Sequence, residues 1–179
     1  MNSLWNKVFH RALVDWDVDY EQYKKISVGT DFFQGFPIIS KAQKIAFIDE
    51  TFYFYRKTEG SIIHKFQPNL AYSLKEGHKR LIECTKYWDC DITDLNVRLA
   101  NRYMLTTSTM VFKGRLINKH TDIVSYVMSI GEDSVFLENY SIADFRNINF
   151  FRKSLIELVA RKRYKLIATF LPMFKRYGM

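Results

Sequence analysis

The sequence predicts an α+β fold that is mostly α, in which a small α/β segment with two short strands precedes a helical domain. Three observations carry this. Lys44–Asp49 and Phe52–Lys57 are rich in β-branched and aromatic residues, and only Glu50 and Thr51 separate them, so they can pair as a hairpin or as neighbouring strands. From Pro68 onward, apolar residues recur at helical spacing behind residues that cap helices. The change from one pattern to the other falls near residue 66, which sets expected domains of 1–66 and 67–179.

Taken in order, Leu4–Val14 is apolar at Leu4, Val8, Phe9, Ala12 and Leu13, a helical stripe of about three turns. Asp15, Asp17 and Asp19 then break the pattern. As an EF-hand the loop would place Tyr20 where Gly belongs and Ile26 where Glu belongs, so it reads as a solvated loop. Thr30 and Asp31 follow Gly29 at the head of one or two helical turns, where N-caps sit. After the two strands, Pro68 opens a helix bearing Leu70, Leu74, Leu81, Ile82, Thr85 and Trp88. Asp91 caps the next, with a stripe of Ile92, Leu95, Leu99, Tyr103 and Met110. Gly114 and Asn118 mark a turn, and Thr121 caps a third helix with Ile123, Val124, Val127 and Met128. A loop at 131–134 follows, then Ser141 with Asp144 in the spacing of a capping box. The last helices cover 149–177, where apolar residues such as Phe150, Leu155, Leu166 and Phe170 alternate with Arg and Lys. Such a helix can lie on an anionic membrane surface, or it can close a bundle with its cations outward.

Composition bounds the rest. The chain of 179 residues carries a net charge of +8 and fifteen Phe, enough apolar residues for a packed core. The positive balance suits an anionic partner: nucleic acid, a membrane surface or a nucleotide-sugar diphosphate. No helix-turn-helix, zinc finger or aromatic RNA-binding strand motif supports nucleic acid. Cys84 and Cys90 form neither a disulfide framework nor a zinc site, and a reducing cytoplasm fits them best. No apolar run is long enough to span a membrane, and no leader opens the sequence. His10, His64, His78 and His120 show no ligand spacing.

Several pieces, in order, resemble the closing segment of the catalytic domain of family 2 glycosyltransferases. They are Trp5-Asn6-Lys7, Thr30-Asp31 with Phe33, Lys44-Ile45, Tyr53-Phe54-Tyr55-Arg56 and Ser61-Ile62. The resemblance covers about residues 4 to 63. Two departures stand out: the family's acidic pair is Thr30-Asp31 here, and Pro37 interrupts the helix that should follow.

The resemblance implies a GT-A type enzyme that transfers a sugar from a nucleotide sugar to a glycan or lipid-linked acceptor. It makes Asp31 the candidate base that takes the acceptor hydroxyl's proton, against the plainer reading of Asp31 as an N-cap. It puts Arg56 and Ser61 beside the donor diphosphate, and Trp5, Asn6 and Lys7 on the acceptor side. Trp5 reads equally as a core aromatic. A divalent metal, Mn or Mg, is expected for the complete enzyme, and none for this chain alone. The resemblance places the nucleotide- and metal-binding half before Trp5, in a preceding segment or a separate chain. His64 is a further metal-ligand candidate by analogy with related folds. The competing reading is a non-enzymatic basic helical module for anionic lipid or nucleic acid. The expected location is cytoplasmic, peripheral at the inner membrane surface if the basic tail engages lipid.

Overall fold

A computed structural model describes residues 7–26, 29–51, 54, 65–86, 88–89 and 91–174. The described chain is mostly helical. Its α-helices are α1 (Thr30–Lys41), α2 (Leu70–Thr85), α3 (Ile92–Lys113), α4 (His120–Gly131), α5 (Ser134–Ile142), α6 (Phe150–Ala160) and α7 (Tyr164–Phe170). Short 3-10 turns stand at Arg11–Leu13, Glu21–Tyr23, Gly114–Leu116 and Leu171–Phe174. The chain forms two compact units, one over Met1–Ser61 with Gln67–Asp89, the other over Ile62–Phe66 with Cys90–Met179. The sequence pattern changes near residue 66, yet α2 belongs with the first unit.

In the first unit α1 packs on α2. The ring of Phe33 lies over Gly77 of α2, where a Cβ would sit 4.0 Å from it, so the two helices meet at a residue with no side chain. Tyr23 packs against Phe33 with ring centroids 4.6 Å apart and the rings tilted by 42°. Ile26, Phe32, Leu70, Leu74, Leu81 and Cys84 are buried with them. Small hydroxyls buried here bond back into their own helix: Ser40 donates to the Pro37 carbonyl, and Ser73 to that of Asn69.

Several expectations change in this unit. The helix over Leu4–Val14 reduces, within the described residues, to the single turn Arg11–Leu13 capped by His10. Its apolar pattern is buried only in part, since Phe9 and Leu13 are half-buried while Val8 is fully exposed, so little packing supports a longer helix. α1 runs through Pro37 for twelve residues instead of stopping there. Its cap is Gly29, held at a φ of 84° in the left-handed region, and Thr30 and Asp31 lie inside the first turn. Lys44–Asp49 is irregular and exposed, with no strand among the described residues. Its expected partner, Phe52–Lys57, lies outside the described residues except for Phe54.

In the second unit α3 is the longest helix and packs against α5 and α6, while α4 packs against α7. The core is built from Met104, Val111, Ile123, Val127, Phe136 and Ile156, all at most 1% exposed. Asp91 caps α3 as expected, accepting the N–H groups of Thr93 and Asp94 at 2.7 and 3.2 Å. Asn149 caps α6 in the same way, accepting from Arg152 at 2.9 Å. α4 begins just before its expected cap, with Lys119 in the cap position and Thr121 inside the first turn. Gly131 admits the close approach of α6 and α7: a Cβ there would stand 2.8 Å from Val159 and 2.9 Å from Tyr164. Ser141 does not open a helix; it lies in the last turn of α5 and donates to the Glu138 carbonyl at 2.7 Å. Asp144 is tied instead to Arg146, and its N–H donates to the Asn101 side chain at 2.7 Å. That pair holds the Asp144 carboxyl at about 2, well below the usual carboxylate range. No described helix is long and apolar enough to cross a membrane.

Candidate functional site

Of the residues singled out in the sequence, Trp5, Asn6, Arg56, Ser61 and His64 lie outside the described residues. Lys7 is half-buried in an irregular stretch ahead of the Arg11–Leu13 turn. Asp31 is half-buried in the first turn of α1, one residue into the helix that Gly29 caps. The left-handed backbone at Gly29 turns the chain into that helix and so sets where the Asp31 carboxylate stands. The side chains of Phe32 and Phe33, which follow it, are buried, so the base of α1 is anchored.

The first unit also contains a cleft that the sequence did not disclose. It has a volume of about 350 Å3 and lies between the segment around Glu21–Tyr23 and one face of α2. Asp19, Gln22, Tyr23, Glu76, Arg80 and Glu83 line it. Its position follows from the packing of Tyr23 against Phe33, which draws the 18–23 segment across α2. Two ion pairs organise the α2 wall: Lys79 donates to Glu76 at 2.8 Å, and Arg80 to Glu83 at 3.0 Å. The Nε of Arg80 is buried with no partner. Burial pushes the Tyr23 phenol above its ordinary value, although the nearby Arg80 opposes this, so Tyr23 stays a neutral donor and acceptor.

This arrangement favours one kind of ligand. Each cation on the wall is already neutralised by a glutamate three residues away on the same helix. Asp19 adds a further carboxylate, with one oxygen accepting the Glu21 N–H at 2.9 Å. A phosphate would therefore meet more negative than unpaired positive charge. A neutral, hydroxyl-rich ligand meets donors and acceptors in near balance. The nearby Cys84 thiol is buried and pushed up by that burial, away from the reactive thiolate.

Two of the three carboxylates of 15–19 are engaged with the backbone. Asp15 accepts the Asp17 N–H at 3.1 Å, as Asp19 does that of Glu21. No group of three His, Cys, Asp or Glu placed to hold a metal occurs among the described residues. The only sequence signal for the cleft was the spacing of Glu76 with Lys79 and of Arg80 with Glu83, which any solvated helix face shows. Comparison with known proteins returns no match: no protein-family model, no curated protein and no solved structure matches this chain.

Proposed function

We propose that the chain is the acceptor-side part of a family 2-type glycosyltransferase, with Asp31 as the base that deprotonates the acceptor hydroxyl. The observation that carries this is the Gly29–Asp31 helix opening. The family-like order of motifs in the sequence requires an acid at the head of a helix just before the Lys44-Ile45 segment. Asp31 stands in the first turn of α1, which ends at Lys41. The reading also pairs Lys44–Asp49 with Phe52–Lys57 as the last strands of a sheet whose other strands belong to the nucleotide-binding half. It puts Trp5, Asn6 and Lys7 on the acceptor side, and Arg56 and Ser61 at the donor diphosphate. The hydroxyl-rich ligand that the cleft suits agrees with a glycan acceptor. The setting is cytoplasmic, with Mn or Mg supplied through the nucleotide-binding half.

The test is calorimetric titration with UDP-sugars and Mn²⁺, first of this chain alone and then with a protein supplying the nucleotide-binding half. The expected result is heat of binding only in the second case, with turnover that Asp31→Asn lowers by about a hundredfold or more, since a positioned base contributes that much. Turnover that Asp31→Asn leaves unchanged would remove Asp31 from the role. No donor binding in either case would sink the transferase reading and leave the non-enzymatic basic module in its place.

A further inference from the structure

The second unit carries an exposed apolar ridge bordered by cations. On α7 one side is buried: Tyr164, Ile167, Ala168 and, just beyond, Leu171. The opposite side repeats Leu166, Phe170 and Met173 at i, i+4 and i+7, and these are 44%, 48% and 69% exposed. The ridge continues onto α6. Phe151 meets Phe174 at 5.7 Å between centroids, both meet Phe112, and the neighbouring Phe150 is 85% exposed.

The charge around the ridge is one-sided. Residues 149–174 hold six Arg and Lys against one acid, Glu157, which is paired with Arg161. Between α6 and α7, Lys162 adopts a φ of 55°, the one non-glycine residue among those described in the left-handed region. That turn exposes Arg161, Lys162 and Arg163 together. Beside the ring cluster, Arg115 lies over Phe112 at 4.2 Å with its Nε buried and unpartnered. It donates to the Phe112 carbonyl at 3.2 Å, and burial pushes its guanidinium below the ordinary value.

We propose that this face of the second unit docks on an anionic lipid surface, with Phe150 and the Leu166–Phe170–Met173 ridge entering the headgroup boundary. Lys162, Arg163 and Lys165 then meet lipid phosphates. Charge complementarity decides the occupant. A bilayer containing acidic lipids offers hydrocarbon and negative charge at every point of its surface, which is what an apolar ridge rimmed by cations requires. A second copy of this chain would bring like charge against like. The inference does not depend on the transferase reading, since it concerns residues that the reading does not use.

The test is sedimentation of the full chain with vesicles of phosphatidylcholine alone, or with about 30% phosphatidylglycerol to give the anionic surface. Binding to the anionic vesicles only is expected, weakening as salt rises. Leu166→Glu with Phe170→Glu is expected to weaken partitioning by at least about tenfold with helicity unchanged, because each added charge opposes both insertion and surface potential. Arg163→Gln with Lys165→Gln, two exposed positions outside the core, is expected to weaken it by about tenfold as well. The proposal is overturned if the wild-type chain ignores anionic vesicles, or if both double variants bind as the wild type does. It is equally overturned if the chain binds single-stranded DNA and not vesicles, or if the ridge variant abolishes a dimer seen by light scattering while no vesicle binding occurs.

Discussion

Tyr126 shows how much one buried hydroxyl can set. It sits in the core of the second unit and donates to the Met110 carbonyl at 2.9 Å, joining α4 to α3. Burial pushes its phenol well above the ordinary 10.0, because the phenolate would have to lie in a low-dielectric core. The sign for stability follows. Below pH 10 the phenol is neutral in both states and contributes its full share. Above pH 10 the unfolded chain releases the proton and the folded chain does not, so stability falls, by up to about 1.4 kcal/mol per pH unit. Tyr126→Phe is expected to cost about 1 kcal/mol at neutral pH, since the Met110 carbonyl loses its donor. Its stability should then fall less steeply than the wild type above pH 10. Tyr103, also raised by burial, keeps part of the slope in both proteins. Denaturant unfolding from pH 7 to pH 11 checks this, and parallel curves would show that Tyr126 is not the group responsible.

At the scale of elements, the apolar stripes were legible and the caps only in part: Asp91 caps α3 as read, whereas α1 and α4 are capped by Gly29 and Lys119 and Ser141 opens no helix. Asp91 was placed correctly because a side chain that accepts N–H groups two and three residues on is a local property, readable without the fold. α5 was missed although Asp133 caps it by accepting the Val135 N–H at 2.9 Å. Its nine residues bury only Phe136 and Asn139, too few to make a stripe. Pro37 misled in the other direction. A proline inside a helix loses one bond and crowds the preceding turn, at a cost of about 3 kcal/mol. α1 continues because packing holds it on both sides of the defect: before Pro37, Phe32 and Phe33 are buried and Phe36 meets Trp88 at 5.8 Å, and after it Ser40 is buried. The cap prediction is direct: Asp91→Ala removes two accepted N–H bonds at the head of α3 and should cost about 1 kcal/mol. Asp91→Asn should recover most of it. Thermal unfolding of both variants decides the matter, and equal losses would mean that the charge, not the bonds, matters there.

For the whole molecule, the helical class was legible because the helical period recurs over a hundred residues after Pro68. The cleft was not, because it exists only once the 18–23 segment lies across α2, more than fifty positions later in the chain. The apolar stretch Ile45–Ile48 was legible as strand-forming, yet Ile45, Phe47 and Ile48 are exposed and irregular. A strand of that composition gains stability from neighbours on both edges, which the transferase reading locates in the nucleotide-binding half. Amide exchange across the whole chain tests this. The chain alone should exchange 44–49 in its fastest class, while the α3 and α4 amides, flanked by the buried Met104, Val111 and Val127, exchange slowest. Adding the nucleotide-binding half should slow 44–49 and leave α3 and α4 unchanged, since only the sheet gains partners. Protection of 44–49 in the chain alone would mean that the hairpin closes by itself. Fast exchange in both cases would remove the sheet from the proposal, and with it the assignment of Arg56 and Ser61 to a donor site beside that sheet.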